Sequence, residues 1–495
     1  MTNLERIRTM IAEELKLWDQ PSIAVGIVKD GEVVLREGFG FANAEKNLPA
    51  GPDTMYQIGS SSKAFTAAAA ALLVDRGLLD WDRPVVEYLP WLRFQDDFTT
   101  LNATVRDMLC HRTGLPRHDA YWINGPCTRR EMAENLRNMQ PAWSFRSMWC
   151  YQNTCYVTVG LLIEALSGMS WEEFVRKELL EPLGMDRTTF YVDAISADPD
   201  HADPYARDLP TDLHGWKRID FLKSDREDMA AGIGAPYGPA GSIMSTVNDM
   251  LKWLQFNLDE GKVGETQLIS EANMKEIHKP QMLMAQPLLV PFPEQDFYSY
   301  AMGWFTETHR GHLMVEHGGN IDGFSALVTM IPDQKLGIVT LTNFNNSFDT
   351  YSTTYEIVDA YLGVEDGDWN KRWRELIAQV MEAQVSQMAE MNGEPAAGTS
   401  PSHPLESYVG TYVNPTYGEL VISLEGERLG FLYNKDFSPL AHFHYDSFRI
   451  DNPRALLSDM LLKFETDKRG TVGSVAIGIT LNPLCADEVF VKKVE

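Results

Sequence analysis

The chain has 495 residues, of which 44% are hydrophobic and 23% charged, a composition typical of folded globular proteins. Its 70 acidic and 43 basic residues give a formal net charge of −27, which disfavours nucleic acid and anionic lipid as partners because both are negatively charged. The longest apolar run, residues 67–74, is far shorter than the roughly 20 residues that cross a bilayer. We therefore expect a small molecule or short peptide as the partner, with no nucleic acid and no membrane, and the oligomeric state stays open.

The N-terminal residues and the cysteines bear on the compartment and on metal chemistry. Residues 1–8 alternate charged and apolar side chains and lack the apolar run of a signal peptide, so we expect a cytoplasmic protein. The cysteines are odd in number and have no C-x-x-C spacing, so they predict ordinary thiols. The aspartates around His201 have no ligand spacing on a regular element, and no metal or cofactor is predicted.

The first predicted elements are a helix, a hairpin and a second helix. Residues 5–17 carry apolar side chains along one stripe, with charges opposite. Two β-rich runs, 22–28 and 32–39, are separated by a Lys-Asp-Gly sequence at 29–31, and Asp-Gly between such runs predicts a hairpin. Residues 61–79 are rich in alanine and leucine and apolar nearly all round, which is typical of a helix enclosed by other structure.

Helices are predicted as far as about residue 280, and strands then return. The helices include residues 155–167 and 246–257, and the later strands are residues 313–316, 325–331 and 336–342. The simplest arrangement is an α+β fold. In it, both ends of this region share one antiparallel sheet, and the helical middle packs beside the sheet.

The C-terminal part of the chain predicts a second domain. A helix at 351–362 and a charged helical stretch are followed by a linker rich in Gly, Pro, Ala and Ser. Short β-rich runs broken by turn residues then predict a small all-β, barrel-like domain. We therefore divide the chain into a larger domain at 1–390, a linker at 391–404 and a β domain at 405–495.

Ser60 and Lys63 are the first candidates for chemistry. They form an S-x-x-K motif at the start of the predicted enclosed helix, and helix positions three apart lie on one face. Serine needs a basic neighbour to accept its proton, and burial of Lys63 would lower the pKa of its amine. The backbone amide of Ser60 is then free to bind a developing oxyanion. The alternative is a serine-rich helix start with a solvated lysine.

The motif Tyr151-Gln152-Asn153 lies just before the helix predicted at 155–167. A tyrosine near an ammonium group can hold its phenolate at lower pH, which makes Tyr151 a candidate base. The amide of Asn153 can orient a lysine or the acyl part of a substrate. The alternative is a core tyrosine next to a capping asparagine.

The motif His317-Gly318-Gly319-Asn320 lies at the end of a predicted edge strand. Two glycines allow a ligand to approach the strand backbone closely. The backbone amide of Asn320 is a candidate second oxyanion donor, with His317 lining the pocket. The alternative is a structural histidine at a strand end. Each of the three motifs is weak alone, but their order and context together are rare.

With these motifs the chain resembles the β-lactamase-related serine hydrolases, which include class C β-lactamases, D-alanyl-D-alanine carboxypeptidases, D-aminopeptidases and related esterases. The resemblance covers roughly residues 20–360, with supporting stretches at 110–116, 160–168 and 239–242. It implies a β-lactamase/transpeptidase-like fold with an antiparallel sheet and a helical subdomain. The C-terminal block, with Tyr-Val-Gly-Thr-Tyr at 408–412, resembles the lipocalin-like barrel appended to some of these peptidases.

The resemblance also implies roles for individual residues. Ser60 would be the nucleophile, and Lys63 and Tyr151 would share the proton relay. The amides of Ser60 and Asn320 would form the oxyanion hole. The residues implied in substrate binding are Asn153, His317, Gly319 and Asn320.

His317 stands where β-lactamases and carboxypeptidases usually have a lysine. That lysine is a fixed cation for the substrate carboxylate, whereas histidine is mostly neutral at pH 7. We therefore expect weak β-lactam hydrolysis and a serine hydrolase that acts on a small amide, peptide or ester. Two alternatives stay open: an acyltransferase that uses the same acyl-enzyme, and a non-catalytic member of the fold.

Overall fold

The computed structural model describes residues 3–123, 125, 127–207, 215–219, 235–284, 292–364, 367–452, 455–480 and 485–493. The longer helices are α1 (Asn3–Leu17), α2 (Ser62–Asp75), α3 (Asn153–Ser167), α4 (Val247–Leu258), α5 (Glu271–His278), α6 (Asp349–Leu362) and α7 (Trp369–Asn392). Shorter helices occupy Val85–Tyr88, Asp97–Asn102, Val105–Leu109, Arg129–Glu134, Trp171–Val175, Glu181–Leu183, Val192–Ala197 and Gly238–Gly241. Within these described residues, no helix combines the length and the apolar character needed to cross a membrane.

The larger domain is built on one nine-stranded sheet. Its strands and the short strands beside it are β1 (Ser22–Lys29), β2 (Glu32–Asn43), β3 (Leu48–Pro49), β4 (Tyr56–Gln57), β5 (Tyr205–Ala206), β6 (Lys217–Arg218), β7 (Met244–Ser245), β8 (Lys262–Val263), β9 (Thr266–Gln267), β10 (Met282–Leu283), β11 (Tyr298–Tyr300), β12 (Phe305–His309), β13 (His312–Ile321), β14 (Phe324–Ile331) and β15 (Leu336–Thr342). The order in the sheet is β10-β11-β12-β13-β14-β15-β1-β2-β3. All its neighbouring strands are antiparallel.

Strand β1 joins the two ends of this domain, because it pairs with β2 on one side and with β15 on the other. Its side chains alternate between two buried layers, as a strand covered on both faces requires. Ile23, Val25 and Ile27 pack with α1 and α6, whereas Ala24 and Val28 belong to the core on the helical side. The predicted α+β fold, with one antiparallel sheet shared by both ends, is confirmed.

Helix α2 is the centre of the helical subdomain. Every side chain from Ser62 to Leu73 is buried, which explains why the sequence is apolar all round. The prediction that this helix runs to Leu79 is wrong, because it ends at Asp75. Gly77 takes a φ of 68°, and the backbone N–H of Leu78 donates to the carbonyl of Leu73 at 2.9 Å. This pattern is a glycine-dependent helix stop that the apolar composition hides.

The C-terminal domain is a closed eight-stranded barrel, as the sequence predicts for this part of the chain. Its strands are β16 (Gly410–Asn414), β17 (Gly418–Glu425), β18 (Arg428–Tyr433), β19 (Asp436–His444), β20 (Ser447–Ile450), β21 (Leu461–Thr466), β22 (Val472–Ile477) and β23 (Glu488–Lys492). Closure pairs β16 with β23, so each of the eight described strands has a hydrogen-bonded neighbour on both sides. The domain boundaries at 390 and 405 stay a prediction.

Glu14 is a buried carboxyl where α1 packs on α6. The hydroxyls of Ser352 and Thr353 donate to it at 3.1 and 2.6 Å. Burial is the main cause that raises the pKa of Glu14 to about 8. An acid with a raised pKa in the folded state holds its proton more tightly there than in the unfolded chain. Its contribution to the free energy of unfolding is therefore most favourable below the ordinary glutamate pKa and falls as the pH rises to about 8.

We expect Glu14→Gln to remove this pH-dependent loss in the free energy of unfolding. At pH 8 the variant should melt on the order of 5 °C above the wild type, whereas at pH 5 the two should melt within a degree or so of each other. Thermal unfolding followed by circular dichroism at both pH values measures the difference. Glu13→Gln is the matched control, because Glu13 is the neighbouring residue and is exposed. An equal rise in melting temperature for Glu14→Gln at both pH values would contradict a raised pKa for Glu14.

Candidate active site

Ser60 lies in a 3-10 turn, Gly59–Ser61, that leads directly into α2. The Nζ atom of Lys63, one helical turn further on, is 3.1 Å from the Oγ atom of Ser60. The hydroxyl of Tyr151, from the start of α3, donates to the same Oγ atom at 2.8 Å. The structure therefore brings the three predicted catalytic side chains together around one hydroxyl.

Lys63 is fully buried, with 0% of its surface exposed. Burial and then the charge of Arg117 lower the pKa of this amine well below the ordinary lysine value, and Asp119 opposes them. The Nζ atom donates to the backbone carbonyl of Ala240 at 2.7 Å. A neutral amine keeps a lone pair, so Lys63 can accept the proton of the Ser60 hydroxyl.

Tyr151 differs from the sequence prediction in its protonation. The expectation that a nearby ammonium holds its phenolate at lower pH is wrong, because burial is the largest effect and raises the pKa of Tyr151. Arg117 and the hydrogen bond with Ser60 lower it by less. Burial thus favours the protonated phenol at Tyr151, which donates a hydrogen bond to Ser60, and the neutral amine at Lys63.

His111 fixes the backbone on both sides of Tyr151. Its carbonyl accepts from the N–H of Cys150 at 2.8 Å, and its Nδ1 atom accepts from the N–H of Gln152 at 3.1 Å. The Gln152 side chain in turn caps α3 and donates to the carbonyl of Pro116 at 2.6 Å. The stretch at 110–116 is thus the scaffold that aims the Tyr151 phenol at Ser60.

Strand β13 carries the second side of the site and is longer than predicted. The sequence placed the His-Gly-Gly-Asn motif at the end of an edge strand, but β13 is an interior strand between β12 and β14 and runs on to Ile321. β12 pairs with β13 only as far as Glu316. Beyond this point one side of β13 is open to the turn at 59–61, and Ser61 Oγ donates to the carbonyl of His317 at 2.9 Å.

Two glycines allow β13 and the turn at 59–61 to touch through their backbones. A Cβ atom on Gly319 would lie 1.9 Å from the carbonyl oxygen of Ile58 and 2.9 Å from the amide nitrogen of Ser60. A Cβ atom on Gly59 would lie 2.8 Å from the amide nitrogen of Asn320. The backbones of Ser60 and Asn320 are therefore adjacent, which is the arrangement that an oxyanion hole of two amides needs.

His317 is buried, with 1% of its surface exposed. Its Nδ1 atom donates to the carbonyl of Gly318 at 2.6 Å, so its Nε2 atom accepts from the Tyr300 hydroxyl at 2.8 Å. Burial is the largest cause that lowers the pKa of His317, to about 3. The side chain is therefore neutral at pH 7 and does not supply a fixed positive charge beside Ser60.

The side chains of Asn153 and Asn320 are already engaged within the protein. The Asn153 amide donates to both carboxylate oxygens of Asp119 at 3.1 Å. The amide oxygen of Asn320 accepts from Ser325 Oγ at 2.6 Å. Both residues border the cluster around Ser60, and their contact with a substrate stays a prediction.

Arg117 and Asp119 form an ion pair at this site that the sequence reasoning missed. The Arg117 side chain is 60% exposed, and its guanidinium lies 5.2 Å from the centre of the Tyr151 ring. Arg117 lies in a loop and Asp119 begins the short 3-10 turn Asp119–Tyr121, where no periodic pattern marks either residue. The one available signal was their position directly after the scaffold stretch at 110–116.

The fold and this cluster are typical of the β-lactamase-related serine hydrolases. A family model described as Beta-lactamase matches residues 8–362, and a second, described as a domain of unknown function (DUF3471), matches residues 394–491. Since the first match spans more than half of the chain, the chain belongs to the β-lactamase family.

Individual relatives agree with this membership. Unguisins hydrolase ungD of Aspergillus violaceofuscus is 28% identical over 452 residues, which cover 84% of this chain and 76% of the relative. Protein flp of Staphylococcus aureus is 26% identical over 352 residues, or 70% of this chain and 64% of the relative. The family and these relatives support serine hydrolase chemistry through an acyl-enzyme.

Solved structures share the fold over nearly the whole chain. The octameric penicillin-binding protein homologue from Pyrococcus abyssi has a TM-score of 0.63 at 22% identity, with 99% of this chain and 100% of that chain covered. SurE has a TM-score of 0.57 at 19% identity, with 99% of both chains covered. The similarity therefore includes the barrel as well as the larger domain.

Proposed function

We propose that this protein hydrolyses a small amide, peptide or ester through an acyl-enzyme on Ser60. The observation that carries the proposal is the position of Ser60 Oγ, which lies 3.1 Å from the buried amine of Lys63 and 2.8 Å from the protonated hydroxyl of Tyr151. A serine hydroxyl becomes a useful nucleophile when a neighbouring base takes its proton. Lys63 supplies such a base because its surroundings favour the neutral amine.

In acylation, Ser60 Oγ attacks the carbonyl carbon of the substrate, and a C–O bond forms while the hydroxyl proton passes to Lys63 Nζ. The backbone amides of Ser60 and Asn320 hold the negative oxygen of the tetrahedral intermediate. The bond between the carbonyl carbon and the leaving nitrogen or oxygen then breaks. The leaving group takes a proton from the relay that Lys63 and Tyr151 form around Oγ.

In deacylation, water takes the place of the leaving group. Lys63 accepts a proton from the water as its oxygen attacks the acyl carbon, and the same two amides hold the second oxyanion. The ester bond to Ser60 breaks, and Oγ regains a proton from the relay. The products are a carboxylic acid and free enzyme, so no cofactor is needed to balance the reaction.

His317 bears on the substrate class. A buried, neutral imidazole gives no fixed cation for a substrate carboxylate, and we expect weak β-lactam hydrolysis for this reason. Small amides, peptides and uncharged esters do not need such a cation. The similarity to an unguisins hydrolase supports a hydrolytic outcome over acyl transfer.

Covalent labelling tests the proposal directly. We expect a fluorophosphonate to modify the native protein once, with mass spectrometry placing the adduct on Ser60, and we expect Ser60→Ala protein to carry none. Ser61 is an internal control, because its hydroxyl is engaged with the His317 carbonyl. An adduct on Ser61 in place of Ser60, or turnover without reaction at Ser60, would overturn the proposal.

A substrate screen separates the remaining alternatives. Purified protein is assayed against D- and L-aminoacyl amides, short peptides and p-nitrophenyl esters, with and without a competing alcohol or amine. Free acid as the only product supports hydrolysis. A transfer product that dominates over the acid supports an acyltransferase. Folded protein that turns over none of these compounds and takes up no label supports a non-catalytic member of the fold.

A further inference from the structure

The barrel contacts the larger domain at the loop that carries Arg117 and Asp119. We call residues 117–123 the Arg117 loop. Asn434, in the turn between β18 and β19, donates its side-chain amide to backbone carbonyls of this loop. The acceptors are the carbonyl oxygens of Ala120 at 2.9 Å, Tyr121 at 3.2 Å and Ile123 at 3.1 Å. One barrel side chain thus contacts the loop backbone at three carbonyl groups.

Tyr417, at the turn between β16 and β17, makes a second contact with the same loop. Its hydroxyl lies 2.6 Å from Nδ1 of His118. The other ring nitrogen of His118 lies 3.3 Å from the carbonyl of Gln140, which can only accept, so Nε2 carries the hydrogen and Nδ1 accepts from Tyr417. Burial lowers the pKa of His118 to about 4, in agreement with a neutral ring.

The same barrel turn is anchored next to the Arg117 loop. Asn135 donates to the carbonyl of Thr416 at 2.7 Å, and Asn138 donates to the carbonyl of Pro415 at 3.1 Å. Thr416 Oγ1 donates back to the carbonyl of Asn138 at 3.0 Å. These reciprocal bonds hold the turn, and therefore Tyr417, in a fixed position against the larger domain.

His118 lies between the two loop residues that act on the catalytic cluster. It has a φ of 48°, a left-handed conformation that is unusual for a residue with a side chain and persists only where its surroundings hold it. Arg117 stands over the Tyr151 ring, and Asp119 binds the amide of Asn153. The backbone at His118 therefore sets where both neighbours point.

We infer that the C-terminal barrel is part of the catalytic apparatus: through Tyr417 and Asn434 it holds the Arg117 loop in the conformation that places Arg117 and Asp119 against the catalytic residues. Tyr417 and Asn434 are positioning residues, since both act through the loop and touch neither Ser60 nor Lys63 in the contacts described above. The inference rests on the proposed function, because it assigns a purpose to the barrel only if Ser60 is the nucleophile.

The pKa of Lys63 depends on the position of the Arg117 loop. Arg117 lowers the pKa of Lys63 more than Asp119 raises it. Tyr151, His111 and His317 also lie near the amine, but burial keeps all three neutral. A loop that moves away should therefore let the pKa of Lys63 rise. The reaction of Ser60 needs the neutral amine, so its rate should then fall off at a higher pH than in the wild type.

The test measures the second-order rate of Ser60 labelling by a fluorophosphonate, in the full chain, as a function of pH. We expect Tyr417→Phe and Asn434→Ala to lower the rate at neutral pH by about tenfold to a hundredfold, because a small displacement of groups around the reacting atoms is costly. We also expect both to move the acidic limb of the profile to higher pH. Tyr412→Phe is the matched control, because the Tyr412 hydroxyl donates within the barrel, to the carbonyl of Tyr408 at 2.7 Å.

A double-mutant cycle completes the experiment. Arg117→Gln alone should shift the acidic limb in the same direction, and Tyr417→Phe added to it should give no further shift to higher pH, because only Asp119, which raises the pKa of Lys63, is then left to move away. The inference is overturned if Tyr417→Phe behaves like Tyr412→Phe, or if the barrel variants lower the melting temperature and leave the limb in place. Wild-type protein that takes up no label would instead refute the proposed function itself.

Discussion

Lys63→Met protein is expected to react with a fluorophosphonate at Ser60 about 10³-fold more slowly than the wild type, because the variant has no group to take the hydroxyl proton. Methionine has nearly the length of lysine and is apolar, so it fits the fully buried site. Stopped labelling reactions, resolved by mass spectrometry over a range of pH, measure the rate. The wild-type rate should rise with pH through the lowered pKa of Lys63, and the variant should lack that rise.

The stability of the variant separates a chemical role from a structural one. Removing a desolvated amine should leave the melting temperature unchanged or raise it, since burial disfavours a charged group. Lys252→Met is the control, because the Lys252 amine is bound to the Asp249 carboxylate at 2.9 Å on a partly exposed surface. A Lys63→Met rate within tenfold of the wild type would show that another group accepts the proton.

The sequence predicts the fold well where local pattern and burial agree. Asp30-Gly31 between two β-rich runs predicts the β1–β2 hairpin, and the apolar run after Ser61 predicts the enclosed helix α2. The end of α2 is harder to predict from the sequence, because Gly77 stops the helix through its backbone conformation while the apolar sequence continues. The length of β13 is harder still to predict. Its glycines argue against a strand in the sequence, but in the structure they allow close packing on the turn at 59–61.

The cluster itself was predictable from three motifs, because each motif lies on a local element with a recognisable start. The protonation states within the cluster could not be predicted from the sequence. The pKa of Tyr151 is set by burial under side chains from distant parts of the chain, and the sequence shows only the nearby lysine. The contact between His118 and Tyr417 joins residues 299 positions apart, and no spacing rule reaches so far.

Gly319→Ala is expected to have the second large effect, a loss of about 10²- to 10³-fold in the rate at which Ser60 is acylated. The added Cβ would lie 1.9 Å from the carbonyl oxygen of Ile58, a backbone atom that no side-chain rotation can move. β13 and the turn at 59–61 must therefore separate. The amides of Ser60 and Asn320 then no longer flank one oxygen, and the loss of an oxyanion donor costs a factor of this size.

The comparison variant is Gly473→Ala in β22, where a Cβ would meet other atoms only at ordinary distances of 3.7 Å or more. Burst kinetics with a p-nitrophenyl ester measure acylation in both variants. Gly319 is not in the left-handed region, so a substitution there acts through steric overlap and not through backbone strain. The effect should grow with side-chain size, and Gly319→Val protein should be acylated more slowly than Gly319→Ala protein. Near-normal acylation in Gly319→Ala would place the oxyanion elsewhere and remove Asn320 from the proposed hole.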